Sequence, residues 1–383
     1  TLVFQDVFSR LSGDTTAPLL KRLETGFGGG KTHTLIACMH LAKKGREIAP
    51  VVSGVLKDSL LPEPGEVDVV AVAGEKAPIS VTMGSEVLPF PIWAEIARQV
   101  GGKELEEKVS FYLHRLDSPD EEYFRQVFGH RKVLLLIDEL AHYAARWSVA
   151  YPKARDMLSS FFMSLFDYAR QNPRIAVVVT LASSRDAFSA QTAELETILS
   201  DLSGQAIDSE RAIAIQEGAV SGLATVLARD ETVVVPVQAK DLSSVLGKRL
   251  FERIDRQEAE RMAEEYRGFY SRNLSLLPLD GRLDDFMKEM AESYPFHPTL
   301  VDFLNNKLST VATFQKTRGV LRILALAVRA LWNNGTDVPM IHASDLDFKD
   351  TRTVSELIGR TDNADLQPVI NADIGTSDSQ FLE

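Results

Sequence analysis

A glycine-rich stretch, Thr25–Thr32, lies close to the N-terminus and limits the folds that this chain can adopt. The stretch follows a short apolar run, Leu19–Leu23, and precedes an apolar-periodic pattern over Thr32–Lys43 that predicts a helix. Glycines let neighbouring backbone N–H groups turn toward one point, and the start of a helix adds a partial positive charge. A strand, a glycine-rich turn and a helix start in this order predict a loop that binds phosphate groups.

The end of this loop carries side chains that suit a nucleotide. Lys31 is expected to reach the β- and γ-phosphates, and the hydroxyl of Thr32 can bind Mg²⁺. The match to G-x-x-x-x-G-K-[ST] is incomplete because Thr25 replaces the first glycine. A flexible glycine turn beside a lysine is the alternative, but the flanking strand and helix favour phosphate binding. The candidate nucleotide-binding residues here are Gly26, Phe27, Gly28, Gly29, Gly30, Lys31, Thr32 and His33.

The composition is that of an ordinary globular protein with room for two or three domains. The chain has 383 residues, of which 45% are apolar and 25% charged, and its net charge is −12. This charge argues against a basic surface along the whole chain, although not against a local basic groove for nucleic acid. A single cysteine, Cys38, excludes an intrachain disulfide and is expected to be a buried thiol. We find no apolar run of about 18 residues and no signal-peptide pattern, so we expect a cytoplasmic protein without a membrane span.

Strand and helix patterns alternate over the first 239 residues. The strand patterns are Leu19–Leu23, Val67–Val72, Lys132–Ile137, Ile175–Leu181 and Val233–Val235. This alternation predicts an α/β domain with a parallel five-stranded sheet flanked by helices, and the run Lys132–Ile137 is typical of a strand covered on both faces. From about residue 240 charged helical patterns predominate. We therefore predict an α/β domain over 1–239 and a mostly α-helical domain over 240–383.

Two acidic residues, Asp138 and Glu139, directly follow the strand pattern Lys132–Ile137. Ligands of open α/β sheets bind at the carboxyl ends of the strands, where Asp138 can hold Mg²⁺ and Glu139 can polarise an attacking water as general base. The alternative is a helix whose first turn favours acidic residues. The phosphate loop upstream favours the nucleotide interpretation.

The end of the next strand carries polar residues that could contact the γ-phosphate or the attacking water. Thr180, Ser183 and Ser184 are the candidates, and many P-loop ATPases place such a residue between the acidic strand and the P-loop strand. Capping of a helix by Ser183 or Ser184 explains these serines equally well. Arg185 is interpreted as a surface arginine in preference to a finger that reaches a neighbouring subunit.

A later segment resembles the sensor-2 helix of AAA+ ATPases, such as origin-recognition proteins and the Holliday-junction branch-migration motor. The similarity is carried by the pattern R-G-x-x-R over Arg318–Arg322. The resemblance implies that Arg322 faces the γ-phosphate from a helical lid, with Arg318 as the second choice. A helix with an exposed basic face, which also includes Arg329, is the alternative.

Three segments, Leu23–Leu35, Ser293–Pro298 and Phe314–Gly319, resemble a family of prokaryotic ATPases known as domain-of-unknown-function 499. The resemblance implies an AAA+-like P-loop NTPase core of the ASCE type followed by a helical lid. This family is similar to bacteriophage-exclusion ATPases and is often encoded beside DNA methyltransferases, which implies a role in phage defence or DNA restriction. DNA, DNA-modifying or defence proteins, and further copies of the chain are the partners it suggests. Family members are typically much longer, so we expect this chain to be the ATPase core.

Together these features predict a Mg²⁺-dependent ATPase. Catalysis is expected to use Lys31, Glu139, Thr180 and Arg322, with Thr32 and Asp138 at the metal. The sequence contains no N-K-x-D tetrad, which would specify guanine, so ATP is favoured over GTP. A slow nucleotide-gated scaffold and a DNA-stimulated motor are the alternatives, and a small-molecule kinase fits the acid pair less well. The seven histidines show no metal-binding spacing; His142 is expected on a helix surface and His297 at a structural corner.

Overall fold

The computed structural model describes residues 2–24, 30–113, 116–181, 192–234, 242–274, 283–304, 316–358 and residue 368. These residues belong to two compact units. The first contains the described residues up to 234, and the second contains those from 242 onward. Each unit has apolar clusters of its own.

The first unit alternates helices with strands. In chain order its elements are α1 (Leu2–Leu11), β1 (Leu20–Leu23), α2 (Lys31–Lys44), α3 (Ala49–Val52), β2 (Val67–Ala73), β3 (Ser80–Met83), β4 (Glu86–Pro89), α4 (Ile92–Lys108), α5 (Ser110–Leu113), α6 (Glu121–Val127), β5 (Lys132–Asp138), α7 (Leu140–Ala150), α8 (Met157–Gln171), β6 (Ile175–Thr180), α9 (Thr192–Ser203), α10 (Ser209–Leu227) and β7 (Glu231–Val234). Short 3₁₀ turns occupy Gly45–Ile48, Asp58–Leu60 and Pro152–Ala154.

Within the described residues, five strands form one parallel sheet in the order β2-β5-β6-β1-β7. The predicted α/β architecture with a parallel sheet is thus confirmed, and β6 lies between the acidic strand β5 and the strand before the glycine-rich loop. Parallel strands end at the same edge of a sheet, so residues that follow β1, β2, β5 and β6 are brought together. The remaining strands, β3 and β4, form a separate antiparallel hairpin.

Strand β5 shows why the sheet lies between two helical layers. Its odd-numbered residues Val133, Leu135 and Ile137 belong to one apolar cluster, and its even-numbered residues Leu134 and Leu136 belong to another. Successive side chains of a strand point to opposite faces, so both faces of β5 are buried. The expectation of a strand covered on both faces is confirmed.

Several elements differ from the sequence expectations. Helix α1 was not foreseen, although its apolar residues recur with helical spacing and pack under the sheet. The sequence over Pro152–Gln171 has a helical pattern, but the helix begins only at Met157, because Pro152–Ala154 form a 3₁₀ turn. The glycine pair Gly101-Gly102 predicts the end of a helix, but α4 continues past it to Lys108, with Gly102 in a non-helical conformation at φ 59°. Helices α9 and α10, also unforeseen, pack on α7 through Leu195, Leu199 and other apolar residues.

The described residues of the second unit are mainly helical. The helices are α11 (Leu242–Leu250), α12 (Arg256–Arg272), α13 (Leu283–Ser293), α14 (Pro298–Asp302), α15 (Lys316–Asn334) and α16 (Thr351–Ile358), with a 3₁₀ turn at Ala343–Asp345. Leu246, Leu300 and Leu324 belong to the main apolar cluster of this unit. Across the described residues of both units, no helix has the length and apolar character that crossing a membrane requires.

Candidate functional site

Helix α2 begins directly at the end of the glycine-rich loop. Gly30 precedes its first residue with φ 79° and ψ 9°, a left-handed conformation that glycine adopts without steric cost. Its carbonyl oxygen accepts hydrogen bonds from both the backbone N and the Oγ1 of Thr34, at 2.9 and 3.0 Å. Lys31 and Thr32 therefore lie in the first turn, where the N–H groups of the helix are available to an anion.

Thr32 and Asp138 meet although 106 positions separate them in the sequence. The Oγ1 of Thr32 donates a hydrogen bond of 2.8 Å to the Oδ2 of Asp138. The sheet brings them together because β5 and β1 both flank β6 and end at the same edge. A hydroxyl and a carboxylate that were predicted to share one metal ion are thus adjacent in the fold.

Thr180, the last residue of β6, links the two acidic residues. Its Oγ1 donates a 2.6 Å hydrogen bond to the Oδ1 of Asp138 and accepts a 2.8 Å hydrogen bond from the backbone N of Glu139. The side chain is buried, with 1% of its surface exposed. Each carboxylate oxygen of Asp138 therefore accepts a hydrogen bond from a threonine hydroxyl, which fixes the orientation of this carboxylate.

Glu139 has an unusual backbone conformation at the start of α7. Its φ of 52° and ψ of 46° are left-handed, and among the described residues it is the one non-glycine residue with positive φ. Such a conformation costs on the order of 1–3 kcal/mol and persists only where the surroundings enforce it. The peptide is held on both sides, since its N bonds to Thr180 and its O accepts from the backbone N of His142 at 3.0 Å. Strain of this kind at a strand end supports a functional role for Glu139.

The segment Gly74–Ala77, which follows β2, borders the same strand end and was missed from the sequence. The backbone N of Gly74 donates a 2.8 Å hydrogen bond to the O of Asp138. A Cβ on Gly74 would lie 2.1 Å from the O of Glu139, so this contact requires glycine. Arg146 of α7 donates to the carbonyl oxygens of Gly74 and Ala77 at 2.8 and 3.0 Å, and burial lowers the pKa of this guanidinium.

The expectation for His142 was wrong. Its side chain is only 5% exposed and its Nδ1 lies 3.5 Å from an Oε1 of Glu75. The residue is buried because the first turn of α7 is covered by the segment that follows β2, a neighbour that the helical periodicity of α7 does not reveal.

The structure separates the other predicted site residues into three groups. His33 is exposed in the first turn of α2, and Lys31 is half-buried there. Arg322 lies in α15, where its Nη1 is 3.7 Å from the Oε2 of Glu356 in α16, and the backbone of Arg318 belongs to the same helix. Outside the described residues lie Thr25, Gly26, Phe27, Gly28, Gly29, Ser183, Ser184, Arg185 and the side chain of Arg318.

His297 is a structural residue of the second unit, as expected. It caps the N-terminus of α14 and is 3% exposed, its Nε2 lies 2.9 Å from the hydroxyl of Tyr270, and its ring stacks on His342 at 4.4 Å between centroids. Burial, and next the neighbouring His342, lower the pKa of His297 to about 4. The described residues contain no group of three or more histidine, cysteine or acidic side chains able to hold a metal ion.

Cys38 is also as predicted. It is a free cysteine on the buried face of α2. Burial raises the pKa of its thiol to about 12, which leaves it protonated and unreactive at neutral pH.

Both units match domains of one protein family. Residues 3–198 match the DUF499 N-terminal domain, and residues 237–383 match the DUF499 second domain. No protein of curated function matches the chain. The two matches follow each other in order and together cover most of the sequence, so the chain belongs to the DUF499 family.

Proposed function

We propose that this protein binds ATP together with Mg²⁺ and hydrolyses it. The observation that carries the proposal is the hydrogen bond between Thr32 and Asp138, which joins the Gly-Lys-Thr end of the glycine-rich loop to the acidic strand end. A phosphate-binding helix start and a carboxylate at the carboxyl edge of a parallel sheet form the arrangement that nucleoside triphosphates require.

The oxygen atoms at this point suit Mg²⁺. Thr32 contributes a hydroxyl and Asp138 a carboxylate, both of them hard ligands, and they already lie within 2.8 Å of each other. Mg²⁺ is usually held by one or two protein oxygens together with substrate phosphates and water, so a larger acidic cluster is not needed. Once bound, the ion would neutralise charge on the phosphate oxygens. Thr32 and Asp138 are the residues that would hold it.

The remaining side chains have distinct roles in this proposal. Lys31, at the start of α2, stabilises the negative charge on the β- and γ-phosphates. Glu139 accepts a proton from the attacking water as general base. Thr180 orients both acidic residues through its two hydrogen bonds. Catalysis of this kind consists of positioning and electrostatic stabilisation.

The wider role is proposed from the sequence resemblance alone. Arg322 of the second unit senses the γ-phosphate, so that hydrolysis changes the conformation of the protein within a phage-defence or DNA-restriction assembly. DNA or DNA-modifying proteins are the partners of this role.

Binding and turnover of ATP by the purified chain test the proposal. We expect Mg²⁺-dependent binding and steady release of inorganic phosphate. Binding without turnover would favour the nucleotide-gated scaffold instead, and absence of binding would overturn the proposal. Turnover that rises steeply with added DNA at low salt would indicate a motor.

A further inference from the structure

The backbone of Glu139 is supported from two neighbouring strands. On the β6 side, the hydroxyl of Thr180 accepts the N–H of Glu139. On the β2 side, Gly74 approaches the carbonyl group of Glu139 so closely that no side chain fits between them. A left-handed non-glycine residue needs such support, because its conformation is unfavourable without it.

The segment Gly74–Ala77 is in turn held by Arg146. Two carbonyl oxygens of the segment accept hydrogen bonds from the Nη1 of Arg146, one at each end. The segment is a tight turn, in which the backbone N of Ala77 donates to the O of Ala73 at 2.7 Å. The guanidinium of Arg146 therefore bridges the two ends of the turn and holds the turn beside α7.

Arg146 belongs to α7, the helix that Glu139 directly precedes. His142 and Arg146 are four residues apart in this helix, so their side chains share one face of α7. His142 adds a second contact to the segment, with its Nδ1 at 3.5 Å from Glu75. His142 and Arg146 thus both contact the segment Gly74–Ala77, in addition to the contact between Gly74 and Glu139.

We propose that Arg146 is a positioning residue for Glu139. By holding Gly74–Ala77 against the backbone of Glu139, it maintains the left-handed conformation that directs the carboxylate of Glu139 toward the attacking water. This inference rests on the proposed ATPase function, in which Glu139 is the general base. Arg146 itself touches neither nucleotide nor water in this role.

The test compares Arg146→Gln with wild type in steady-state turnover, ATP binding and thermal unfolding. We expect kcat to fall roughly ten- to hundredfold, because small misplacements of a catalytic group have effects of this size. The dissociation constant for ATP should stay within about twofold, since the binding residues Lys31 and Thr32 lie on α2. A purely structural role would instead lower the unfolding temperature and leave the kcat of the folded fraction unchanged, and that result would overturn the proposal.

Arg131→Gln is the matched control. Arg131 also bonds to β2, through Asp68 near the opposite end of that strand, at 3.1 Å. Its substitution should leave kcat unchanged; an equal loss of kcat in both variants would overturn the specific role of Arg146. If Arg146→Gln does not fold, Arg146→Lys, which keeps a charged donor, should show a lower kcat at unchanged ATP affinity, and wild-type kcat in that variant would overturn the proposal.

A double variant separates this inference from the proposed function. If Arg146 acts through Glu139, adding Arg146→Gln to Glu139→Gln should leave the residual turnover unchanged, and a further proportional fall would overturn the coupling. If wild type neither binds nor hydrolyses ATP, the proposed function fails and the positioning role fails with it. If wild type hydrolyses ATP and Glu139→Gln does not, a fully active Arg146→Gln overturns the positioning role alone.

Discussion

Thr32 and Asp138 are joined by a hydrogen bond of 2.8 Å between Oγ1 and Oδ2. This contact links the first turn of α2 to the end of β5. The segment between these two elements forms α3, β2, the β3–β4 hairpin and helices α4 to α6.

Removal of the Lys31 amine should abolish ATP-dependent activity. In the proposed site Lys31 stabilises charge on the β- and γ-phosphates, and alanine carries no ammonium group that could do so. We expect Lys31→Ala to reduce phosphate release to background, as measured by a coupled phosphate assay. Lys44→Ala, an exposed lysine at the other end of the same helix, should retain wild-type turnover. Unchanged hydrolysis by Lys31→Ala would refute phosphate binding at this loop.

Glu139→Gln should bind ATP but turn it over slowly. The amide is nearly isosteric with the carboxylate but cannot accept the proton of water, and a general base typically contributes about 10²- to 10⁴-fold in rate. Equilibrium binding and single-turnover hydrolysis of the same preparation measure the two effects separately. The exposed Glu121 in α6 offers a control, since Glu121→Gln should match wild type in both assays. Full turnover by Glu139→Gln would show that Glu139 is not the base.

Thr180→Val should lower both stability and turnover, and Thr180→Ser should largely restore them. Valine keeps the shape but leaves the N–H of Glu139 without its acceptor and Asp138 without one donor, so we expect a loss of about 1–3 kcal/mol in the free energy of unfolding. Denaturant unfolding and steady-state turnover measure the two consequences. If Thr180→Ser is as impaired as Thr180→Val, the methyl group of Thr180 matters rather than its hydroxyl, and the orienting role is wrong.

Stability should fall in mild acid because His297 is buried in its neutral form. The pKa of His297 is about 4 in the folded protein, against an ordinary value of 6.5, so the unfolded chain binds the proton more readily between these pH values. The free energy of unfolding should therefore decrease as the pH falls through this interval, by up to about 3 kcal/mol from this group. Above about pH 6.5, His297 should no longer change the free energy of unfolding, because its side chain is mainly neutral in both the folded and the unfolded state.

Calorimetry of the full chain at pH 7.5 and pH 5 can check this effect. His297→Asn, which keeps a side chain able to cap α14, should lose less stability between the two pH values than wild type. His40→Asn, at an exposed position of α2, should behave as wild type. If wild type and His297→Asn lose equal stability between pH 7.5 and pH 5, protonation of His297 is not the cause of the loss.

Local sequence patterns predicted the five strands of the parallel sheet and the acidic strand end, but not the hairpin strands β3 and β4. The run from Val133 to Ile137 is apolar without interruption, and a strand covered on both faces must have such a sequence. Helices α9 and α10 were not predicted, although their apolar spacing is helical, because no motif drew attention to them. The burial of His142 could not be predicted, because it depends on a segment about seventy positions earlier in the chain.

The amino-acid sequence was enough to predict which chemical groups are available at the ends of the strands: the Gly-Lys-Thr helix start, the acid pair at Asp138 and Glu139, and the hydroxyl of Thr180. These depend on residue types and on spacing along the chain, which a sequence states directly. The folded structure was needed to show that Thr180 bonds to both acids, and that Gly74, which accepts a hydrogen bond from Arg146, packs against the backbone of Glu139. Strand order in a parallel sheet sets which strand ends are neighbours, and this order results from the packing of the whole domain rather than from any local pattern.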